Sequence, residues 1–315
     1  MNLLEANNIT KRYHNHTALN NVTIHVPEGS VYGLLGPNGA GKTSLIRIIN
    51  QITGPDSGEV KFKGVHLNPS HVEQIGYMPE ERGLYRKMAV GEQALYLAQL
   101  KGLSRQEALK RLKYWFERME IMPWWKKKVE ELSKGMAQKV QFVVTVLHEP
   151  PLLIFDEPFS GFDPVNAELV KNEILELKKK GSTIIFSTHR MESVEEMCDS
   201  IALINKSEKI LDGQVKEIRH RFKNNLYEVD FEGNWISFGN ALWTNFELVR
   251  KVEEDGILKA HVKLLGDSTP NDLLHTLLPV CKIHNFKELI PTVNEIFISL
   301  VTGQAIGVAP TNKEL

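Results

Sequence analysis

Residues Gly36 to Thr43 read GPNGAGKT, a match to GxxxxGK[ST], and they stand between an apolar run, Val31 to Leu35, and a helical run, Ser44 to Ile52. A glycine-rich turn between a strand and a helix is suited to wrapping an anion. Its backbone N–H groups can converge on a phosphate, and the helix start adds partial positive charge. Lys42 can reach the β and γ oxygens and Thr43 can offer its hydroxyl to Mg²⁺. Gly36, Pro37, Asn38, Gly39, Ala40, Gly41, Lys42, Thr43 and Ser44 are therefore the candidates for holding a nucleotide. The pattern also arises by chance in glycine-rich turns; here the flanking strand and helix give it meaning.

The apolar, β-branched runs Val22 to Val26, Val31 to Leu35, Leu152 to Phe155 and Thr183 to Phe186 alternate with helical patterns, as in a parallel α/β sheet. Loops after such strands carry ligands. Leu152 to Glu157, LLIFDE, ends an apolar strand in two carboxylates. Asp156 is placed to hold the Mg²⁺ shell and Glu157 to polarise a water. His189 follows the run Thr183 to Thr188, within reach of a terminal phosphate or the attacking water. An acidic pair after a core strand, or a lone histidine, is by itself more often structural; beside a phosphate loop the set reads as hydrolytic. Residues 88–147 show helical periodicity without a strand, which predicts a helical subdomain inserted into the α/β core. After Phe222 the pattern changes. Leu226 to Phe231, Trp235 to Phe238 and Ile257 to Leu264 read as strands, and helices start at Thr269-Pro270 and at the capping box of Thr292 with Glu295. The expected organisation is a nucleotide-binding domain over 1–222 and a small α+β domain over 223–315.

A net charge of −1 leaves no broad basic field to gather nucleic acid or anionic lipid. The lysine runs Lys126 to Lys128 and Lys178 to Lys180 read as solvated helix faces. Cys198 and Cys281 belong to no metal or disulfide pattern and read as small buried hydrophobes. No segment approaches the roughly 20 apolar residues that cross a bilayer, and Met1 to Thr10 has no leader pattern. The chain is thus expected at the cytoplasmic face of a membrane only if a partner holds it there. The absence of a second phosphate motif predicts a single cassette.

In this order the motifs resemble the ATP-binding subunits of ABC transporters, over roughly Leu3 to Phe222. Leu132 to Gln138, LSKGMAQ, resembles that family's LSGGQ signature, which faces the nucleotide of a second subunit. The resemblance implies that Ser133 and the N–H of Gly135 contact the γ-phosphate in trans. It also implies that Tyr13 stacks on adenine, that Glu80 takes the Q-loop position as a Mg²⁺ ligand, that Ser160 to Asp163 form the D-loop, and that His189 is the switch histidine. The implied assembly is a head-to-tail dimer, taken as a homodimer, around two ATP molecules, docked on a separately encoded membrane permease. Glu81 to Tyr85 and the pair Trp124 and Trp125 are candidates for permease contact, with core packing the competing reading for the tryptophans. Glu80, Lys134 and Met136 depart from the common glutamine, glycine and glutamine; Lys134 can point at the trans phosphate or into solvent. The segment GYMPEERGLY and the C-terminal pattern are similar to a bacterial subgroup that includes sodium-export ATPases. That predicts an exporter engine, with sodium the favoured cargo and a drug, peptide or other small solute the alternative. A soluble ATPase of translation or DNA repair is the rival, but such proteins carry two cassettes or a long coiled-coil insertion. A non-hydrolysing regulator would have lost Glu157 or His189, and both are present.

Overall fold

The computed structural model describes residues 1–80, 83–254 and 256–303. The chain opens with the hairpin β1 (Asn2–Tyr13) and β2 (His16–Pro27), then β3 (Val31–Leu35), α1 (Lys42–Ile49), β4 (Ser57–Phe62), β5 (Val65–His66) and β6 (Ile75–Met78). Three helices follow, α2 (Val90–Leu100), α3 (Arg105–Arg118) and α4 (Lys134–Val146). Next come β7 (Leu152–Asp156), α5 (Pro164–Lys179), β8 (Thr183–Thr188), α6 (Glu192–Met197), β9 (Ser200–Asn205), β10 (Glu208–Gln214) and α7 (Val215–Arg221). The remainder is β11 (Leu226–Glu232), α8 (Trp235–Ala241), β12 (Phe246–Glu254), β13 (Ile257–Leu264), α9 (Pro270–Leu277), β14 (Lys282–Glu288) and α10 (Val293–Thr302).

The chain divides into two compact units between Val215 and Lys216, seven residues before the boundary expected at Phe222. The cause lies in and just after α7. Arg219 Nε donates to the Pro291 carbonyl at 2.9 Å and Lys223 pairs with Glu288 at 2.8 Å, so these side chains bond within the second unit.

Among its described residues the first unit has two sheets. One runs β10-β9-β3-β8-β7-β6, with the pairs from β9 to β6 parallel and β10 antiparallel to β9. All five residues of β3 and of β7 and all six of β8 are buried, as expected where both faces of a strand are covered. The second sheet, β2-β1-β4-β5, is antiparallel. Val22 to Val26 belongs there rather than in the parallel sheet: β2 returns from the tight turn at His14 to pair along β1 and bury alternate side chains. Leu4, Ile9, Leu19 and Ile24 of this sheet pack with Tyr32, Ile46 and Ile154 in one core.

Between β6 and β7 the described residues hold helices and one isolated bridge, Ala89 with Lys128. Trp125 packs edge-on against Phe116 at 5.1 Å, and a Cβ on Gly91 would lie 2.2 Å from its ring. Trp125 thus serves the packing of this subdomain. No helix of the described residues is long and apolar enough to cross a membrane.

The second unit is an antiparallel sheet ordered β12-β13-β11-β14, with α8 and α9 contributing to its core. Trp235 to Phe238, expected as a strand, is the start of α8. Asn234 caps the helix by accepting from Ile236 N at 2.6 Å. Trp235, Phe238 and Leu242 then recur at helical spacing to meet the sheet, Phe238 stacking on Phe231 at 4.1 Å. The Thr269 and Thr292 capping boxes both form. Cys198 is buried and Cys281 half-buried, and neither forms a disulfide.

Candidate functional site

β3, β8, β7 and β6 are consecutive neighbours in the parallel sheet. Their carboxyl ends therefore deliver the phosphate loop, His189, the Asp156-Glu157 pair and Glu80 to one edge of the sheet. A cavity of about 320 Å³ lies there, lined by Tyr13, His16, Ala18, Asn38 to Ser44, Glu80, Asp156 and Glu157.

The loop is shaped by backbone that only glycine accepts. At Gly36, with φ of +145°, a Cβ would sit 2.1 Å from the Ile204 carbonyl oxygen; at Gly41, with φ of +117°, it would sit 2.3 Å from that of Ala18. Lys42 is buried and its ammonium donates to the carbonyls of Gly36 at 2.6 Å and Pro37 at 3.1 Å, spanning the loop from inside. Burial lowers its pKa, and the charges of Glu157, Asp156 and Glu80 oppose that shift. Thr43 Oγ1 donates to Asp156 Oδ2 at 3.5 Å. The Asp156 carboxyl is pushed up by burial and by Glu157 and Glu80, with the Lys42 charge opposing that shift.

Glu157 occupies the left-handed region at φ of +49°. Its own N–H donates to the Ser187 carbonyl at 2.9 Å, and its carbonyl accepts from Ser160 N at 3.0 Å. Its carboxylate accepts from His189 N at 2.8 Å and from Thr188 Oγ1 at 3.2 Å, and lies 2.7 Å from His189 Nδ1. His189 is thus joined to the cavity through Glu157 and is not itself part of the wall.

Tyr13, 39% exposed, lines the cavity from the end of β1, and Lys11 Nζ lies 5.5 Å from its ring centroid. His16, opposite Tyr13 in the hairpin register, also lines it and was not singled out from sequence. Gly36 and Pro37 act through their carbonyls on Lys42 and are not themselves in the wall. Ser133, Gly135 and Asp163 are not in the wall either. Ser133 caps α4 by accepting from Met136 N at 3.2 Å, Asp163 caps α5 by accepting from Asn166 N at 3.0 Å, and a Cβ on Gly135 would lie 3.1 Å from the Gly161 carbonyl oxygen. Lys134 is exposed, and its ammonium donates to Ser160 Oγ at 3.0 Å. Of the expected permease-contact segment, Glu81 and Arg82 lie outside the described residues.

Among the described residues no three His, Cys, Asp or Glu side chains converge as a metal cage. Glu80, Asp156 and the Thr43 hydroxyl, which share the cavity wall, are donors of the kind a small hard cation takes together with phosphate oxygens. Glu80, Asp156 and Glu157 line the cavity with Lys42 and their charges act on its ammonium, so a cation entering with an anionic triphosphate would offset them.

Comparison with known proteins agrees with this arrangement. The ABC transporter family model matches residues 19–160, and the model of the C-terminal domain of DrrA1-3-like ATP-binding proteins matches 213–301. The ABC transporter ATP-binding protein YhaQ of Bacillus subtilis (strain 168) is 39% identical over 301 residues, 95% of this chain and 98% of that protein. The linearmycin resistance ATP-binding protein LnrL of the same organism is 32% identical over 222 residues, 70% of this chain and 71% of that one. A solved ATP-binding subunit of an ABC transporter, 33% identical, superposes with a TM-score of 0.66 over 70% of this chain and 93% of its own. With identity extending over nearly the whole of YhaQ and the nucleotide motifs seated on adjacent strands, the chain belongs to the ABC transporter ATP-binding proteins and is an ATPase.

Proposed function

We propose that this chain is the ATP-hydrolysing engine of a membrane exporter, working at the cytoplasmic face as a head-to-tail homodimer on a separately encoded permease. The observation that carries the site reading is the convergence of Lys42, Thr43, Glu80, Asp156 and Glu157 on one cavity beside an exposed tyrosine. Tyr13 offers its ring to adenine. The backbone N–H groups from Gly36 to Ser44, with Lys42, take the phosphates. Thr43, Asp156 and Glu80 hold Mg²⁺, which supplies charge neutralisation on the phosphate oxygens. Glu157, steadied by Thr188 and the His189 main chain, polarises the attacking water, and His189 reports on the γ-phosphate through Glu157. Ser133, Gly135 and Asp163 serve the nucleotide of the second subunit.

The cargo is set in the permease. The subgroup resemblance of GYMPEERGLY supports sodium ions. A second reading, an organic solute, is supported by the similarity to LnrL, a linearmycin resistance ATP-binding protein. Vesicles holding this chain and its permease decide between them: ATP-driven sodium movement that is lost in Glu157→Gln establishes sodium export. Robust ATPase without sodium flux moves the cargo to an organic solute. Normal turnover in Glu157→Gln, expected instead to bind ATP and accumulate as a closed dimer, would overturn the role given to that carboxylate.

A further inference from the structure

Lys134 stands where the signature pattern carries glycine, at the first position of α4 just after its cap Ser133. A cation there is disfavoured by the helix dipole, and no acidic residue in the first turn compensates it. Its side chain instead folds across to the loop that follows Glu157. The stem covers Gly161 so closely that a Cβ there would lie 2.7 Å from Lys134 Cδ, and the ammonium donates to Ser160 Oγ at 3.0 Å. One turn further along α4, Gln138 Nε2 reaches the Pro158 carbonyl at 3.4 Å. The same loop is closed on Glu157 by the Ser160 N–H, which donates to the Glu157 carbonyl at 3.0 Å. A helix start is thereby fastened to the turn that holds Glu157 in its left-handed conformation.

We propose that Lys134 is a positioning residue: through Ser160 it fixes the turn that aims the Glu157 carboxylate, and so it acts on turnover rather than on nucleotide affinity. The inference rests on the reading of Glu157 as the water-polarising group. Lys134→Met keeps most of the stem and removes the donor. In the full chain it is expected to lower kcat about three- to fivefold, the scale of one solvent-exposed charged contact, with KM for ATP changed less than about twofold. Ser160→Ala is expected to do the same, the double variant to be no slower than either single one, and Lys134→Arg to restore most of the rate. Thermal midpoints equal to wild type separate this from damage to the fold, and Lys134→Gly serves as a second variant if Met is poorly tolerated. A rise in KM with kcat held, independent effects at 134 and 160, or an unchanged Lys134→Met each overturn the proposal. A wild-type chain that fails to hydrolyse ATP would instead remove the reading of the site beneath it.

Discussion

At the scale of single residues, the nucleotide site is a balance of charges more than a set of shapes. Glu80 is exposed, lines the cavity and contributes to raising the Asp156 carboxyl. Glu80→Gln removes one anionic ligand while keeping size and oxygen. The Mg²⁺ concentration for half-maximal ATPase should then rise about three- to tenfold, and the transport yield per ATP should change. A metal titration and a flux assay that both match wild type would show that the departure from glutamine has no consequence. The phosphate loop and the Asp156-Glu157 pair were legible because each closes a local pattern, a turn between strand and helix or an acidic pair at a strand end, whereas Tyr13 and Glu80 came from the family resemblance alone. His16 was not, because it enters the wall through its register opposite Tyr13, and register is a property of the hairpin rather than of either residue. The contact that Lys134 makes escaped for a related reason. Its partner lies 26 positions away, and nothing in LSKGMAQ points to Ser160.

Among the elements, α4 carries an unexpected sensitivity at its end. His148, just past the helix, lines a second cavity with Lys101, and burial, reinforced by the Lys101 charge, lowers its pKa from 6.5 to about 4. Unfolding returns the ring to its ordinary pKa, so between pH 6.5 and 4 the unfolded chain holds the additional proton. Stability is whole above pH 6.5 and declines as pH falls, by ~2 kcal/mol at pH 5 and ~3 kcal/mol once pH passes 4. Denaturant midpoints at pH 7.5 and pH 5 should therefore converge in His148→Gln; a variant as acid-sensitive as wild type places the slope in another group. The element pattern itself was uneven in legibility. β3, β7 and β8 are buried on both faces and so appear as unbroken apolar runs. β9 and β10 were not anticipated, and in β10 only Leu211 is buried among exposed and half-buried positions. Trp235 to Phe238 misled because a four-residue stretch with three apolar side chains fits either period, and the deciding Leu242 lies beyond it.

For the whole molecule, each unit has a core of its own: the one around Tyr32 and Ile154, and the one around Phe231 and Phe238. Every residue in the wall of the nucleotide cavity lies in the first unit. Two calorimetric transitions are expected, with Mg·ATP raising the one that belongs to the cassette by mass action and leaving the other in place. A single transition that shifts as one would show the units to be energetically joined. The insertion between β6 and β7 adds a further consequence. These strands pair directly, Ile75 opposite Leu152 through Met78 opposite Phe155, whatever the chain does between them. The helical segment is therefore a graftable cartridge. Exchanging its 88–131 part between relatives, which leaves Glu80 and the Ser133 to Gly135 signature in place, should redirect which permease the engine drives while leaving the sheet register as it was.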